Sequence, residues 1–312
     1  MQMQLAPILH IAATGITLLA PLTAVSISQS LSARASIDTI NQQPGALDSI
    51  RKTMILTLAI TETSAIFSLL TAIFIMLSPC FSIAEGLGYL GMAFAMAIPA
   101  TTVGFMSNFA IKNAVKSLGR LPSIYSKLTT LLLLVLTVPQ TPVIFGFVSA
   151  LLMRAYIFPE MTISSGIRLL SSGCLVGFGS IGPSIGILLL GSQACYSMGL
   201  VKNLYERILS FIFISQAVIE TPFLFALVVS FLIAFLPFDP WASKAIATAV
   251  IISLATCLAG IGSGWIARIA CEQIAQNAKM TTTLSRTSLL GQTFVDTNVI
   301  YATLIALGVL FL

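Results

Sequence analysis

A polar, mostly acidic residue recurs at the centre of four apolar segments, with a Thr directly after it each time. The spacings between these positions are 78, 80 and 76 residues, for Glu62, Gln140, Glu220 and Asp296. A carboxylate in the middle of a lipid-embedded helix costs about 3 kcal/mol or more, so its presence there indicates a function. Self-similarity at a fixed period is the sequence signature of a repeat architecture. The chain is therefore predicted to be a fourfold internal repeat.

The composition predicts that these repeats are embedded in a membrane. Hydrophobic residues make up 57% of the 312 residues, charged residues 8%, and the mean hydropathy is +1.02. These values exclude a water-soluble domain, and long apolar stretches indicate transmembrane helices. We expect no cleaved signal peptide, because the first apolar segment is long and has no basic region before it. Eight segments are long enough to cross a membrane, at about 6–33, 55–78, 88–111, 128–152, 168–191, 208–236, 246–267 and 288–312.

The basic residues are concentrated on one side of the predicted helices. Twelve of the fifteen lie in or beside four loops, namely Arg34, Arg51, Lys52, Lys112, Lys116, Arg120, Lys127, Lys202, Arg207, Arg268, Lys279 and Arg286. The opposite side carries only Arg154, Arg168 and Lys244. This asymmetry follows the positive-inside rule and predicts cytoplasmic loops with both termini outside. Because the positive charge is sorted in this way, we interpret it as a topology signal and expect no nucleic-acid partner.

Each repeat is predicted to be a helical hairpin, with boundaries at 1–80, 81–160, 161–238 and 239–312. The turns are predicted near Asn41–Pro44, Gly119–Pro122, Val201–Leu204 and Gln276–Lys279. Small residues are concentrated in the first helix of the hairpins, as in the run of glycines between Gly173 and Gly186. Small residues let helices approach closely in lipid. We therefore expect an all-α membrane protein in two layers, with tightly packed first helices and a second layer that carries the carboxyl groups.

The hairpins resemble the c-subunit (proteolipid) of rotary ATP synthases, in a form with four hairpins fused in one chain. That family has a glycine-rich first helix, a polar loop that usually reads Arg-Gln-Pro, and a carboxylate eighteen residues after this Pro. The same separation of eighteen residues joins Pro44 to Glu62, Pro122 to Gln140, and Ala278 to Asp296. Hairpin 3 departs most, because Lys202 takes the place of the Pro. The stretch from Gly182 to Gly186, Gly-Pro-Ser-Ile-Gly, is similar to the first helix of the family.

The resemblance implies an ion-translocating subunit of a homo-oligomeric rotor ring, with Glu62, Glu220 and Asp296 as the ion carriers. It also implies a static membrane subunit with an essential Arg, and a bacterial plasma membrane as the location. The chain itself is expected to be non-catalytic, since it has no Walker-type phosphate loop, and to need no cofactor besides the translocated H+ or Na+. The rotor stalk is expected to contact the loops near Pro44, Pro122, Lys202 and Ala278.

The identity of the ion depends on the oxygen donors around each carboxyl group. Sodium-using members of the family have a Gln fifteen residues before the loop Pro, which is Gln29 here, and hydroxyl groups after the carboxylate. A sodium site would therefore use Gln29, Glu62 and Thr63. The position of Gln29 is taken by Ile187 in hairpin 3, which has no oxygen donor, and this favours protons. The neighbours expected to contribute to the four sites are Gln29, Thr63, Ser64, Gln140, Thr221, Ser263 and Thr297.

Two other functions are compatible with the pattern. A fused proteolipid of a vacuolar or archaeal-type rotary ATPase also joins hairpins and loses carboxylates, but the Gln-Pro turn and the separation of eighteen residues favour the ATP synthase type. An eight-helix secondary transporter would also use repeats and charges at the centre of the membrane. Such a transporter would give its repeats different roles, whereas here one position is reused four times.

Overall fold

The computed structural model describes residues 2–201, 205–235 and 242–312, and all regular secondary structure in these ranges is helical. The α-helices are α1 (Gln2–Gln42), α2 (Leu47–Met76), α3 (Ile83–Arg120), α4 (Tyr125–Thr137), α5 (Thr141–Arg154), α6 (Ile163–Met198), α7 (Tyr205–Phe235), α8 (Ala242–Gln276) and α9 (Thr281–Phe311). Eight helical segments in these ranges are long and apolar enough to cross a membrane, with α4 and α5 forming one of them. The prediction of eight membrane-crossing helices is confirmed.

The helices extend well beyond the predicted apolar segments. The first helix was predicted at 6–33 and ends at Gln42, and the third was predicted at 88–111 and ends at Arg120. A helix of 38 residues, such as α3, is about 57 Å long, nearly twice the thickness of the hydrocarbon core of a bilayer. The added turns are polar, so hydropathy did not detect them.

Three of the four predicted turns have one repeated geometry. Gln43, Leu121 and Asn277 each have φ between −138° and −133° and ψ between 78° and 80°, and a short 3-10 helix follows each of them. In all three, the amide of this residue donates 2.9 Å to the carbonyl four residues before it. The turn of hairpin 4 has this geometry although Ala278 replaces the Pro. The turn of hairpin 3 was predicted at Val201–Leu204, and residues 202–204 lie outside the described residues. The predicted boundary between hairpins 3 and 4 also lies outside them.

The first helices α1, α3, α6 and α8 form a row in which each packs along its neighbour over most of its length. Backbones come into direct contact at glycines within this row. A Cβ atom placed on Gly173 would lie 1.9 Å from the carbonyl oxygen of Gly91, and one on Gly182 would lie 2.0 Å from that of Cys257. Any larger residue at these positions would separate the helices, so the predicted close packing of the first helices is confirmed.

The second helices α2, α4–α5, α7 and α9 pack on the outside of this row and against one another. The segment predicted at 128–152 lies within one membrane-crossing span, Pro122–Arg154, but this span is not a continuous α-helix. A 3-10 turn at Val138–Gln140 separates α4 from α5. Pro139 and Pro142 cause the interruption, because a proline has no N–H to donate and its ring clashes with the preceding turn. The interruption falls at the polar position of hairpin 2.

Candidate ion-binding positions between neighbouring hairpins

The four recurring polar residues all lie on the second helices, but their burial differs. Glu62 on α2 is exposed, and Glu220 on α7 and Asp296 on α9 are partly buried. Gln140, at the end of the 3-10 turn, is only 8% exposed. The uncharged member of the set is therefore the one that the protein encloses most completely.

Gln140 contacts the preceding hairpin. The Ser64 hydroxyl on α2 donates to Oε1 of Gln140 over 3.0 Å. Nε2 of Gln140 is buried and has no hydrogen-bond partner among the described residues. Ser64, which was predicted to lie beside Glu62, thus donates to the polar residue of the next hairpin.

Glu220 also faces the hairpin before its own. The Thr141 hydroxyl at the start of α5 lies beside the Glu220 carboxyl group. Oε1 of Glu220 is buried and lacks a hydrogen-bond partner in the described part of the chain. Hairpins 2 and 3 therefore meet at this carboxyl group as hairpins 1 and 2 meet at Gln140.

Asp296 is contacted by the first helix of its own hairpin. The Ser263 hydroxyl on α8 donates to Oδ1 of Asp296 over 3.1 Å. In hairpins 1 and 2 the corresponding first-helix residues donate to backbone carbonyls instead. Nε2 of Gln29 donates to the Leu58 carbonyl over 3.3 Å, and the Ser107 hydroxyl donates to the carbonyl of Val103 over 2.7 Å.

The Thr hydroxyl that follows each polar position donates to the backbone of its own helix. Thr63, Thr141 and Thr297 donate to the carbonyl three residues earlier, over 2.7, 2.7 and 2.6 Å. Thr221 donates to the carbonyl four residues earlier, over 3.1 Å. This is the usual behaviour of Thr inside a helix. A hydroxyl oxygen that donates in this way keeps lone pairs that can still accept a hydrogen bond or contact a cation.

The donor chemistry favours a proton or an alkali cation over a transition metal. Among the described residues, no group of three His, Cys, Asp or Glu side chains comes together. Each position offers instead one carboxyl or amide group with hydroxyl oxygens nearby. Hard oxygen donors of this kind suit small hard cations, whereas transition metals prefer imidazole or thiolate.

Two buried amides near these positions were not predicted from the sequence. Gln216 and Gln292 each lie four residues before a carboxyl residue, and they are 1% and 0% exposed. Nε2 of Gln292 donates to the hydroxyls of Ser288 over 2.9 Å and Ser215 over 3.4 Å. The sequence contains a signal for both, because residues four apart lie on one face of a helix.

Comparison with known proteins gives matches to two of the four hairpins. The family model for the ATP synthase c-subunit matches residues 12–75 and 170–233, which lie in hairpins 1 and 3. The chain is 36% identical over 70 residues to the ATP synthase c-subunit of Chloroflexus aurantiacus and to that of Chloroflexus aggregans. In both cases the matched region covers 92% of the relative and 22% of this chain.

The fold and these positions define an integral membrane protein built of tandem helical hairpins, with one polar position on the second helix of each. The family model matches twice, at starting points 158 residues apart, or two of the sequence periods. Each match spans both helices of one hairpin. The chain belongs to the c-subunit family of ATP synthases, and more than one copy of the family's hairpin is present in it.

Proposed function

We propose that this protein is the ion-translocating rotor-ring subunit of a bacterial ATP synthase, with repeat units 1–80, 81–160, 161–238 and 239–312. The observation that carries the proposal is the placement of the recurring polar residues at contacts between helices. Gln140 and Glu220 meet hydroxyl groups of the preceding hairpin, and Asp296 meets a hydroxyl group of its own first helix. Repeats that meet through such contacts are expected to continue from chain to chain and close into a ring.

The proposed ions travel on Glu62, Glu220 and Asp296. A carboxyl group that faces lipid is stable only when it is neutral, because the charged form loses its hydration there. We expect each group to lose its ion when it faces the essential Arg of a static membrane subunit, and to return to the lipid once it is neutral again. The chain carries the ion, and the chemistry of ATP belongs to other subunits.

Protons are the proposed ion. In hairpin 3 the first-helix position that corresponds to Gln29 is Ile187, which is fully buried and has no oxygen donor. In hairpin 1 the Gln29 amide nitrogen donates to the Leu58 carbonyl over 3.3 Å rather than to the Glu62 carboxyl group. A proton needs only the carboxyl group itself, and all three carboxyl residues satisfy this requirement.

The proposed orientation places the basic turns in the cytoplasm and both termini outside, in a bacterial plasma membrane. The turns near Pro44, Pro122 and Ala278 would then face the rotor stalk, together with Lys202, which lies outside the described residues. Hydrogen bonds between hairpins near this end, such as Ser117 to the Cys195 carbonyl over 2.8 Å, keep the turns of neighbouring hairpins together. Such a surface can hold a stalk without local rearrangement.

Labelling with a hydrophobic carbodiimide tests the ion-carrying positions, because this reagent modifies protonated carboxyl groups in apolar surroundings. Peptide mapping of the purified protein is expected to show modification at Glu62, Glu220 and Asp296. Asp48, a helix-start residue in a polar turn, is an internal control that should remain unmodified. If none of the three residues is modified, the proposed ion-carrying function is wrong.

Native mass spectrometry tests the assembly. A closed homo-oligomer of many helices is expected for a rotor ring. A monomer or dimer would indicate an eight-helix secondary transporter instead. Co-purification with vacuolar-type or archaeal-type stalk subunits would assign the ring to that class of rotary ATPase.

A further inference from the structure

The Gln216 side chain is a buried amide that the proposed function leaves without a role. It is 1% exposed, and neither Oε1 nor Nε2 has a hydrogen-bond partner among the described residues. An unsatisfied buried amide is costly, by about 1–3 kcal/mol for each group. Buried polar groups in proteins are nearly always satisfied by the protein or by ordered water. Gln216 therefore indicates a ligand.

The nearest polar group on the same helix is Glu220, one turn further along α7. Residues four apart on a helix have Cβ atoms about 6 Å from each other. Oε1 of Glu220 is also buried without a partner among the described residues. The α7 residues on either side of Gln216, Ile212 and Ile219, belong to a buried apolar cluster that also contains Ile187 and Leu136. Gln216 is thus enclosed by hydrocarbon, and the buried Oε1 atom of Glu220 lies on the same face of the helix.

We propose that Gln216 and Glu220 together hold one water molecule, so that Gln216 is a positioning residue for the carboxyl group of hairpin 3. A water molecule can accept a hydrogen bond from Nε2 and donate one to the Glu220 carboxylate, each of about 2.9 Å. A sodium ion fits less well, because it cannot accept a hydrogen bond from Nε2, whereas a water molecule can accept from Nε2 and donate to a carboxylate oxygen. A site with both a donor, Nε2 of Gln216, and an acceptor, the Glu220 carboxylate, suits a water molecule, which can donate and accept hydrogen bonds.

The distribution of polar residues among the hairpins explains why hairpin 3 would need this water molecule. The first-helix position is Gln29, Ser107 and Ser263 in hairpins 1, 2 and 4 but Ile187 in hairpin 3. In hairpin 4 this residue donates directly to the carboxyl group. In hairpin 3 the first helix supplies no hydrogen-bond donor to the carboxyl group. Gln216, on the second helix, supplies one through the proposed water molecule. The inference rests on the proposed function, since it concerns how Glu220 is stabilised while it is charged.

The substitution Gln216→Leu tests the proposal. Leu is the residue at this position in hairpins 1 and 2, as Leu58 and Leu136, so the fold accommodates it. Gln216→Met, which keeps the unbranched shape, is a second variant in case Leu prevents assembly. Gln292→Leu is the matched control, because that amide already donates to Ser288 and Ser215.

Two measurements on the assembled ring decide the outcome. High-resolution electron cryomicroscopy should show density between Gln216 and Glu220 in sodium-free buffer and in sodium, and this density should disappear in Gln216→Leu. The carbodiimide labelling rate of Glu220 should rise about tenfold in Gln216→Leu, since losing one hydrogen bond to the carboxylate favours its protonated form. Gln292→Leu should leave the labelling rate of Glu220 unchanged.

Three results would overturn the water site. These are density that appears only in sodium, a labelling rate unaffected by Gln216→Leu and Gln216→Met, and a direct Gln216–Glu220 contact without intervening density. A failure of the proposed function would look different. In that case Glu220 would not be labelled in any of the proteins, whereas the density could still be present.

Discussion

Replacing Gln140 by Glu is expected to add a fourth ion carrier to each chain. An amide neither titrates nor carries charge, so hairpin 2 is expected to pass the static subunit without exchanging an ion. The structure shows a position ready for a carboxyl group. Gln140 is 8% exposed, and Oε1 already accepts a hydrogen bond from the Ser64 hydroxyl over 3.0 Å. Glu has nearly the same size and shape, and it removes the unpartnered Nε2 group.

The size of the expected change follows from the number of ion-carrying residues in each chain. One charge moved through 100 mV corresponds to about 2.3 kcal/mol. Three ions per chain therefore supply about 7 kcal/mol as a chain passes the static subunit, and four would supply about 9 kcal/mol. The number of ions translocated per ATP should rise by about one third in Gln140→Glu, for an unchanged number of chains in the ring.

The assay compares the membrane potential or proton gradient that balances a fixed ATP hydrolysis free energy in reconstituted vesicles. Gln140→Glu should reach balance at a smaller gradient than the unmodified complex, and carbodiimide should modify residue 140 in the variant. Gln140→Met is the matched control, since it fills the same space without a titratable group and should keep the original ratio. An unchanged ratio in an active Gln140→Glu complex would show that hairpin 2 is silent for a reason other than its missing carboxyl group.

Three further expectations concern the ion, the packing and the topology. If sodium protects any carboxyl residue from carbodiimide it should be Glu62 alone, since only hairpin 1 has Gln29, and protection of all three carboxyl residues would contradict proton transport. Gly173→Leu should prevent ring assembly in native mass spectrometry, because the added Cβ would lie 1.9 Å from the Gly91 carbonyl, whereas Gly308→Ala, with nothing within 4 Å, should assemble normally. Single cysteines at exposed turn residues should react with a membrane-impermeant maleimide from the cytoplasmic side, and labelling from outside would overturn the topology. Background from the native loop residue Cys80 should be low, because burial and the nearby Glu85 raise the pKa of its thiol to about 11. The turn positions for these cysteines are Asn41, Arg120 and Asn277.

The features that the sequence predicted are those determined by local chemistry. The turns were predicted because Gln43-Pro44 and Leu121-Pro122 break a helix in a fixed way, and the structure shows one geometry at both. The close packing of the first helices was predicted because glycine leaves room for a neighbouring backbone. The turn at Asn277 has the same geometry without a Pro, which shows that the repeat keeps its shape where the residue differs.

The features that the sequence did not predict depend on contacts between distant residues. Ser64 was placed beside Glu62 because it lies two residues away, yet it donates to Gln140, 76 residues further along. Gln29 was expected at the carboxyl group of its hairpin but reaches the backbone at Leu58. The direction of a side chain on a helix determines which neighbour it meets, and hydropathy contains no information about that direction. The burial of Gln216 was hidden for the same reason, since a Gln in an apolar run can face lipid, a neighbour or a cavity.

The fusion of four hairpins has a consequence for the proposed rotor that separate hairpins would lack. In a ring of separate, identical subunits every position carries the same residue, so a neutral position such as Gln140 would have to occur everywhere or nowhere. Covalent linkage fixes the order Glu62, Gln140, Glu220, Asp296 and sets one neutral step after every three charged ones. The neutral amide needs no ion while it faces lipid, because it is uncharged and the Ser64 hydroxyl satisfies its oxygen. At the proposed static subunit, however, it would offer no charge to the expected Arg. The carboxyl groups on either side, Glu62 and Glu220, must then hold the ring in register across this step. Replacing either of them by Gln would place two neutral positions in succession, and we expect it to impair rotation more than the same replacement at Asp296, which lies farther from Gln140 in the ring order.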